Sequence, residues 1–212
     1  MEPFIRADQF HYIKEQTQKL INAHSSVNDR AVLQALKSLT NEKVMCLFPE
    51  MSIEKRLLIH PIIEIENKEQ AEAFLRKLRV YVIPFKDVTL QTAKKLLPKV
   101  KKLKLPPLDS ANLLELSYLG FDDKGSQKKY IITYLDNRPI GIQGHFKPLN
   151  KKGICTICNK LEEVGMFLVE KKGAIQGTFT KKGNYICQYS HKCNFNLTSL
   201  DRLTDFISLI MK

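Results

Sequence analysis

The sequence predicts an α+β chain, with an N-terminal helical bundle over residues 1–83 and a C-terminal mixed α/β domain over residues 84–212. Apolar residues recur three and four apart through the first 83 residues, the spacing of one helix face. From residue 113 onward the pattern becomes extended, with apolar and aromatic runs bounded by Asp, Asn, Gly and Pro. The charge divides at the same boundary. Residues 1–83 hold 12 Lys and Arg against 11 Asp and Glu, whereas residues 84–212 hold 22 against 11.

In the bundle, Asp8 is placed to cap a first helix with Phe10, Ile13, Leu20 and Ile21 near one face. Asn28 is placed to cap a second, with Val32, Leu36 and Leu39 as its stripe. A third, shorter helix starts near Ser52 and stops at His60-Pro61, because the residue before proline resists helical geometry. Asn67 with Gln70 three residues on forms a capping box for a fourth, through Ala71, Phe74, Leu75, Leu78 and Tyr81 to Pro84. Short helices with short connections pack as antiparallel neighbours.

The second domain opens with a helix from Thr89, with Leu90, Ala93 and Leu97 inward, broken at Pro98. The run LPKVKKLKLPP interleaves Lys99, Lys101, Lys102 and Lys104 with Val100, Leu103 and Leu105, and fits either a strand or a helical stub. Residues 114–118, 130–135 and 141–146 read as strands, with turns at Asp122-Asp123-Lys124-Gly125 and Asp136-Asn137-Arg138-Pro139. Residues 166–169 and 177–180 read as a further hairpin. Thr198 is placed to cap a closing helix with Leu200, Leu203, Phe206, Ile207 and Ile210 on one side.

Composition excludes several classes. With 43% apolar and 26% charged residues the chain is globular, neither disordered nor fibrous. No apolar run approaches the roughly 20 residues of a bilayer-spanning helix, and MEPFIRADQF carries no hydrophobic signal region. A soluble, cytoplasmic monomer is expected. Ser110, Ser117 and Ser126 lack a nucleophile elbow, and Gly141-Ile142-Gln143-Gly144 is too short for a phosphate loop. His11, His24, His60 and His145 have no partner at catalytic spacing, so no enzyme is expected. Cys46, beside Met45 and Leu47, reads as a small buried hydrophobe.

The other four cysteines form a pattern. Cys155-Thr156-Ile157-Cys158 is followed after 28 residues by Cys187, and after five more by Cys193. Two thiolate pairs, one on a tight CxxC turn, suit a tetrahedral zinc ion with sulfur ligands at about 2.3 Å. A hairpin between the pairs would bring the second back to the first. His191 is the alternative to one of the last two cysteines. A redox CxxC would precede a long helix in a βαβ unit, which is absent here. A zinc deaminase needs His-x-Glu, and the nearby His145-Phe146-Lys147 has no Glu. Four protein ligands close the coordination shell, so the sequence predicts one structural Zn²⁺.

Lysine clusters at residues 99–104, 151–152, 171–172 and 181–182 lie in or beside this cysteine module. Together they point to an anionic partner: RNA, a ribosome or an acidic protein. Lysine outnumbers arginine, which favours diffuse attraction over bidentate reading of bases. Tyr185 and Tyr189 lie among these lysines as candidate contact aromatics.

The segments KKGICTICNK and TKKGNYICQYSHKCN, the closing amphipathic helix, KVKKLKLPPL and LSYLGFDDKGSQKKYIITY together resemble the FusB-type fusidic-acid-resistance proteins. The resemblance spans essentially the whole chain, with residues 1–83 matching mainly in helical pattern. It implies a helical bundle followed by an α/β domain with a four-cysteine zinc finger. It further implies a non-enzymatic protein that binds elongation factor G, mostly through the C-terminal domain, and promotes its release from the ribosome when fusidic acid has trapped it. By position, the zinc ligands are Cys155, Cys158, Cys187 and Cys193, and the contacts to the factor fall at Lys182, Tyr185 and Phe206, with Lys181 beside them. One departure is Ile154, where the resemblance leads one to expect an aromatic before the first cysteine. The alternative reading is a zinc-finger module that binds rRNA or the ribosome directly.

Overall fold

The computed structural model describes residues 1–100, 102–123, 125–172 and 178–211. Expectations for Lys101, Lys124 and Gly177 therefore lie outside the described residues. The chain divides into two units, residues 1–83 and 84–212.

The first unit contains α1 (Ala7–Ser26), α2 (Arg30–Met45), α3 (Ile53–Ile59), a 3₁₀ turn (His60–Glu64) and α4 (Lys68–Arg79). Its core includes Ile13, Leu20, Val44, Ile59, Ile62, Phe74 and Leu78. The chain ends of the unit meet where Ile5 bridges Val82, and the Ile83 N–H donates to the Ile5 carbonyl at 2.8 Å.

Two caps differ from the sequence reading. Arg6, not Asp8, precedes α1, and Asp8 lies buried in the first turn, paired with Arg6 at 2.9 Å. A carboxylate there complements the partial positive charge of the helix N-terminus, so Asp8 is stable inside the helix as well as at its cap. In α2 the cap is Asp29, whose carboxylate accepts from the Ala31 and Val32 N–H groups at 2.7 and 3.3 Å, rather than Asn28. Ser52 and Asn67 cap α3 and α4 as expected. The Gln70 side chain accepts from the Glu66 N–H at 2.8 Å, one residue before the cap. The stripe expected on α2 is not a core face: Val32 and Leu39 are exposed, and burial is confined to Thr40 and Val44 near the C-terminal end. Cys46 is also exposed rather than buried.

In the second unit, α5 (Leu90–Leu96) is capped by Thr89 as expected, although Leu90 faces solvent. Neither a strand nor a helix forms over the described residues between Leu97 and Asp109; Leu103 alone of that run is buried. Pro106 and Pro107 supply no backbone N–H for a ladder or a helix, and the run is held instead by Leu103, with Val100, Leu105 and Leu108 partly buried against the same core. A short helix, α6 (Ser110–Leu113), comes next. Residues 114–118 are not a strand, because they are the crossing between two cores and not a ladder.

The sheet is a five-stranded antiparallel meander in the order β1 (Leu119–Asp123), β2 (Lys128–Leu135), β3 (Arg138–Ile154), β4 (Leu161–Lys172), β5 (Phe179–Cys187). Asp136 and Asn137, both at positive φ, form the two-residue turn between β2 and β3, so Arg138 and Pro139 belong to the strand. β3 is far longer than expected and carries an irregularity between Pro148 and Lys151. α7 (Ser190–Asn196) and α8 (Asp201–Met211) close the unit. Thr198 does not cap α8: the Thr204 N–H donates to the Leu200 carbonyl, which puts the cap at Leu200, and the Ser199 hydroxyl accepts from the Asp201 N–H at 3.2 Å.

Alternation along β2 splits this unit into two cores. Ile131 faces Ile142, Phe146, Phe167 and Ile186 on one side, covered by α7 and α8. Tyr130 and Ile132 face the other side, with Leu119, Phe121, Ala93, Leu97 and Leu103.

Candidate metal centre

Cys155 and Cys158 stand on the turn that links β3 to β4. The Asn159 N–H donates to the Cys155 carbonyl at 2.8 Å and the Cys155 N–H to the Lys160 carbonyl at 3.1 Å, and Asn159 takes the left-handed conformation that Asn tolerates. The β4–β5 hairpin then returns the chain, pairing Val164 with Cys187. Cys193 comes from α7, a helix absent from the sequence reading because SHKCNFN is short and has no apolar period.

All four thiols are buried, and their sulfur atoms lie within 4.8 Å of one another. Cys155 and Cys193 sulfurs are 3.7 Å apart and those of Cys158 and Cys187 3.6 Å. Sulfurs at about 2.3 Å from a central ion form a tetrahedron with edges of about 3.8 Å, so the spacing fits zinc. None of the four is in a disulfide. Backbone N–H groups of Cys158 and Cys187 point at the Cys155 sulfur from 3.5 and 3.3 Å. The Cys158 thiol first, then those of Cys187 and Cys193, hold Cys155 well below the ordinary thiol range. Cys155 in turn pushes Cys187 and Cys193 up. Burial, and after it Cys193, raises the Tyr118 hydroxyl, which therefore stays neutral. His191 is exposed and outside the cluster, its ring 5.9 Å from that of Tyr189.

Two buried polar side chains that the sequence reading missed hold this centre on the sheet. Asn194 accepts from the Ser117 and Tyr118 N–H groups at 2.7 and 3.1 Å and donates to the Tyr118 and Ser190 carbonyls at 2.9 and 3.0 Å. Lys129, fully buried, pairs with Asp122 at 2.8 Å, donates to the Gln188 carbonyl at 3.0 Å and lies 4.6 Å from the Phe146 ring centre. Asp122 is thus an ion-pair partner at a strand end and not part of a turn. Gly120 leaves the space that the Ser190 side chain occupies, so α7 sits against β1. Nothing in KKYIITY distinguishes Lys129 from a surface strand lysine.

The other candidate residues are dispersed. Ile154 and its register partner Leu161 are 58% and 60% exposed where β3 and β4 meet the cysteine turn. Tyr185 is exposed on β5, and its carbonyl accepts from the Thr156 N–H within the cysteine turn. Lys181 shares its strand face and pairs with Glu170 at 3.4 Å, whereas Lys182 points to the opposite face. Phe206 is 1% exposed, with its ring centre 6.0 Å from that of Phe167. Tyr189 is exposed, with the Lys192 ammonium 5.4 Å from its ring centre.

A cysteine turn, a hairpin and a helix that converge on one buried four-thiol site define a treble-clef zinc-finger protein, with one structural zinc. Residues 4–86 match the family model "Elongation factor G-binding protein, N-terminal", and residues 85–204 match "FBP C-terminal treble-clef zinc-finger". The chain belongs to the elongation factor G-binding protein family. Among solved structures it is similar to that of the fusidic acid resistance protein FusC, at 34% identity and a TM-score of 0.84, over 97% of each chain. No curated protein sequence matches it. No helix among the described residues is long and apolar enough to cross a membrane.

Proposed function

We propose that this protein binds elongation factor G through the surface around its zinc finger and promotes release of the factor from the ribosome, relieving inhibition by fusidic acid. The observation that carries this reading is the near-complete structural match to FusC within a family named for binding elongation factor G. The contacts we assign are Tyr185 and Lys181, on one face of β5, and Ile154 on β3, both strands anchored to the cysteine turn; Lys182, on the opposite face of β5, is not part of the same surface. Phe206, buried against Phe167, serves as its support and not as a contact.

No chemistry on the drug is required. A binder frees a trapped factor when it favours a conformation that the ribosome holds less tightly. The excess of lysine in residues 84–212 speeds encounter with an acidic partner, and that rate falls with added salt.

Size-exclusion co-elution of the zinc-loaded protein with purified elongation factor G, without ribosomes or RNA, tests the reading. A stoichiometric complex is expected, followed by rescue of translation in fusidic acid. Separate elution at low salt would overturn it.

A further inference from the structure

The stretch from α5 to Lys104 has a surface that contains none of the residues assigned as contacts to the factor. Between Asp87 and Asp109 the chain contains six lysines, no arginine and no acidic residue. Lys94, Lys95, Lys99, Lys102 and Lys104 are all exposed, and none forms an ion pair among the described residues. They stand on a fixed base. Ala93, Leu97 and Leu103 are buried in the core with Phe121 and Tyr130, and Gly141 on β3 lets the Leu96 backbone approach, since a Cβ there would lie 2.7 Å from the Leu96 carbonyl oxygen. That core lies on the side of the sheet away from α7, α8 and the four cysteines.

We infer that this lysine ridge is a second docking surface, which takes the phosphate backbone of structured RNA while the zinc finger remains free for a protein. Five ammonium groups on one short segment, with no ion-pair partner among the described residues, repel one another unless an anion neutralises them. Lysine is a point charge suited to phosphate and is depleted at the cores of protein interfaces. The absence of aromatic and arginine side chains from the ridge matches backbone attraction without base reading. The inference is separate from the factor-binding reading, and the two are measured independently.

The test is fluorescence anisotropy of a fluorescein-labelled RNA hairpin with the zinc-loaded full chain across a salt series. The triple variant Lys94→Glu, Lys95→Glu, Lys99→Glu should bind roughly tenfold or more weakly, and its log–log salt slope should shrink by about 2–3. An equal charge change on the first unit, Lys19→Glu, Lys43→Glu, Lys68→Glu, should leave both near wild type. Co-elution with elongation factor G, followed on the same variants, should not change. Zinc content and circular dichroism confirm folding; if the Glu variant misfolds, the Gln triple is read instead, with a smaller drop in the same direction. The inference is overturned if the wild type ignores RNA at low salt, if both triples lose RNA equally, if the ridge variant loses elongation factor G and keeps RNA, or if phosphatidylserine vesicles compete RNA away.

Discussion

The ammonium nitrogen of Lys129 lies 3.0 Å from the carbonyl oxygen of Gln188, the residue directly after the zinc-site Cys187. A fully buried cation on β2 thereby fixes the corner between the last strand and the helix that carries Cys193. Its charge is balanced by Asp122 on the neighbouring strand β1, so one side chain ties the β1–β2 hairpin to a segment 59 residues further along the chain.

Replacing Lys129 with Met keeps the stem and removes the cation. The Gln188 carbonyl loses its donor and Asp122 its partner. A hydrogen bond to a charged group is worth about 1.5–3 kcal/mol, and the loss should appear as that much in urea unfolding. Unchanged stability would mean that the corner is held by the metal alone.

Asn194→Ala should be at least as damaging. Its amide serves two N–H groups and two carbonyls, and two of those partners belong to Tyr118, which is 2% exposed. Buried groups left unpaired cost about 1–3 kcal/mol each. Thermal unfolding of the zinc-loaded variant measures this, and a shift indistinguishable from zero would show that water replaces the amide.

Cys193→Ser should lower bound zinc from one ion per chain to a small fraction, measured by elemental analysis after dialysis. Cys46→Ser, exposed and outside the cluster, should retain the full equivalent. Stripping the metal with a chelator should abolish co-elution with elongation factor G, because metal binding and folding of the finger are coupled.

Tyr185→Ala and Phe206→Ala should separate contact from support. The exposed tyrosine should cost roughly tenfold or more in affinity for the factor with little change in stability. The buried phenylalanine should cost about 3–5 kcal/mol of stability. If titration calorimetry and unfolding gave the reverse ranking, the surface assigned to the factor would be wrong.

Ile154→Phe should tighten binding several-fold. At 58% exposure the side chain has room, and a ring supplies the flat contact area that aromatic residues bring to interfaces. Calorimetry reads the change, and unchanged affinity would place Ile154 outside the contact.

The zinc site was legible because its information is local: Cys155 and Cys158 sit on one turn, and the run to Cys187 is long enough for one hairpin. The closing helix was legible because Leu203, Phe206, Ile207 and Ile210 keep helical period and are all buried. What failed depended on tertiary context. The apolar spacing of Val32, Leu36 and Leu39 is sound, yet only the far end of α2 meets the core. Residues 114–118 alternate like a strand, yet Leu116 packs on one core and Tyr118 on the other, with no ladder between. Lys129 and Asn194 were invisible because a buried polar residue is defined by partners 59 and 76 residues away.

β3 belongs at once to the sheet and to the finger: its first half pairs with β2, and its last residues lead into Cys155. The finger therefore has no seam at which it could be lifted out. An exchange of fingers between family members would have to carry Pro148 through Asn196 as one piece, with Lys129 and the 117–118 segment matched in the recipient. Specificity for a new factor would then be acquired side chain by side chain on the exposed rim and not by swapping cassettes.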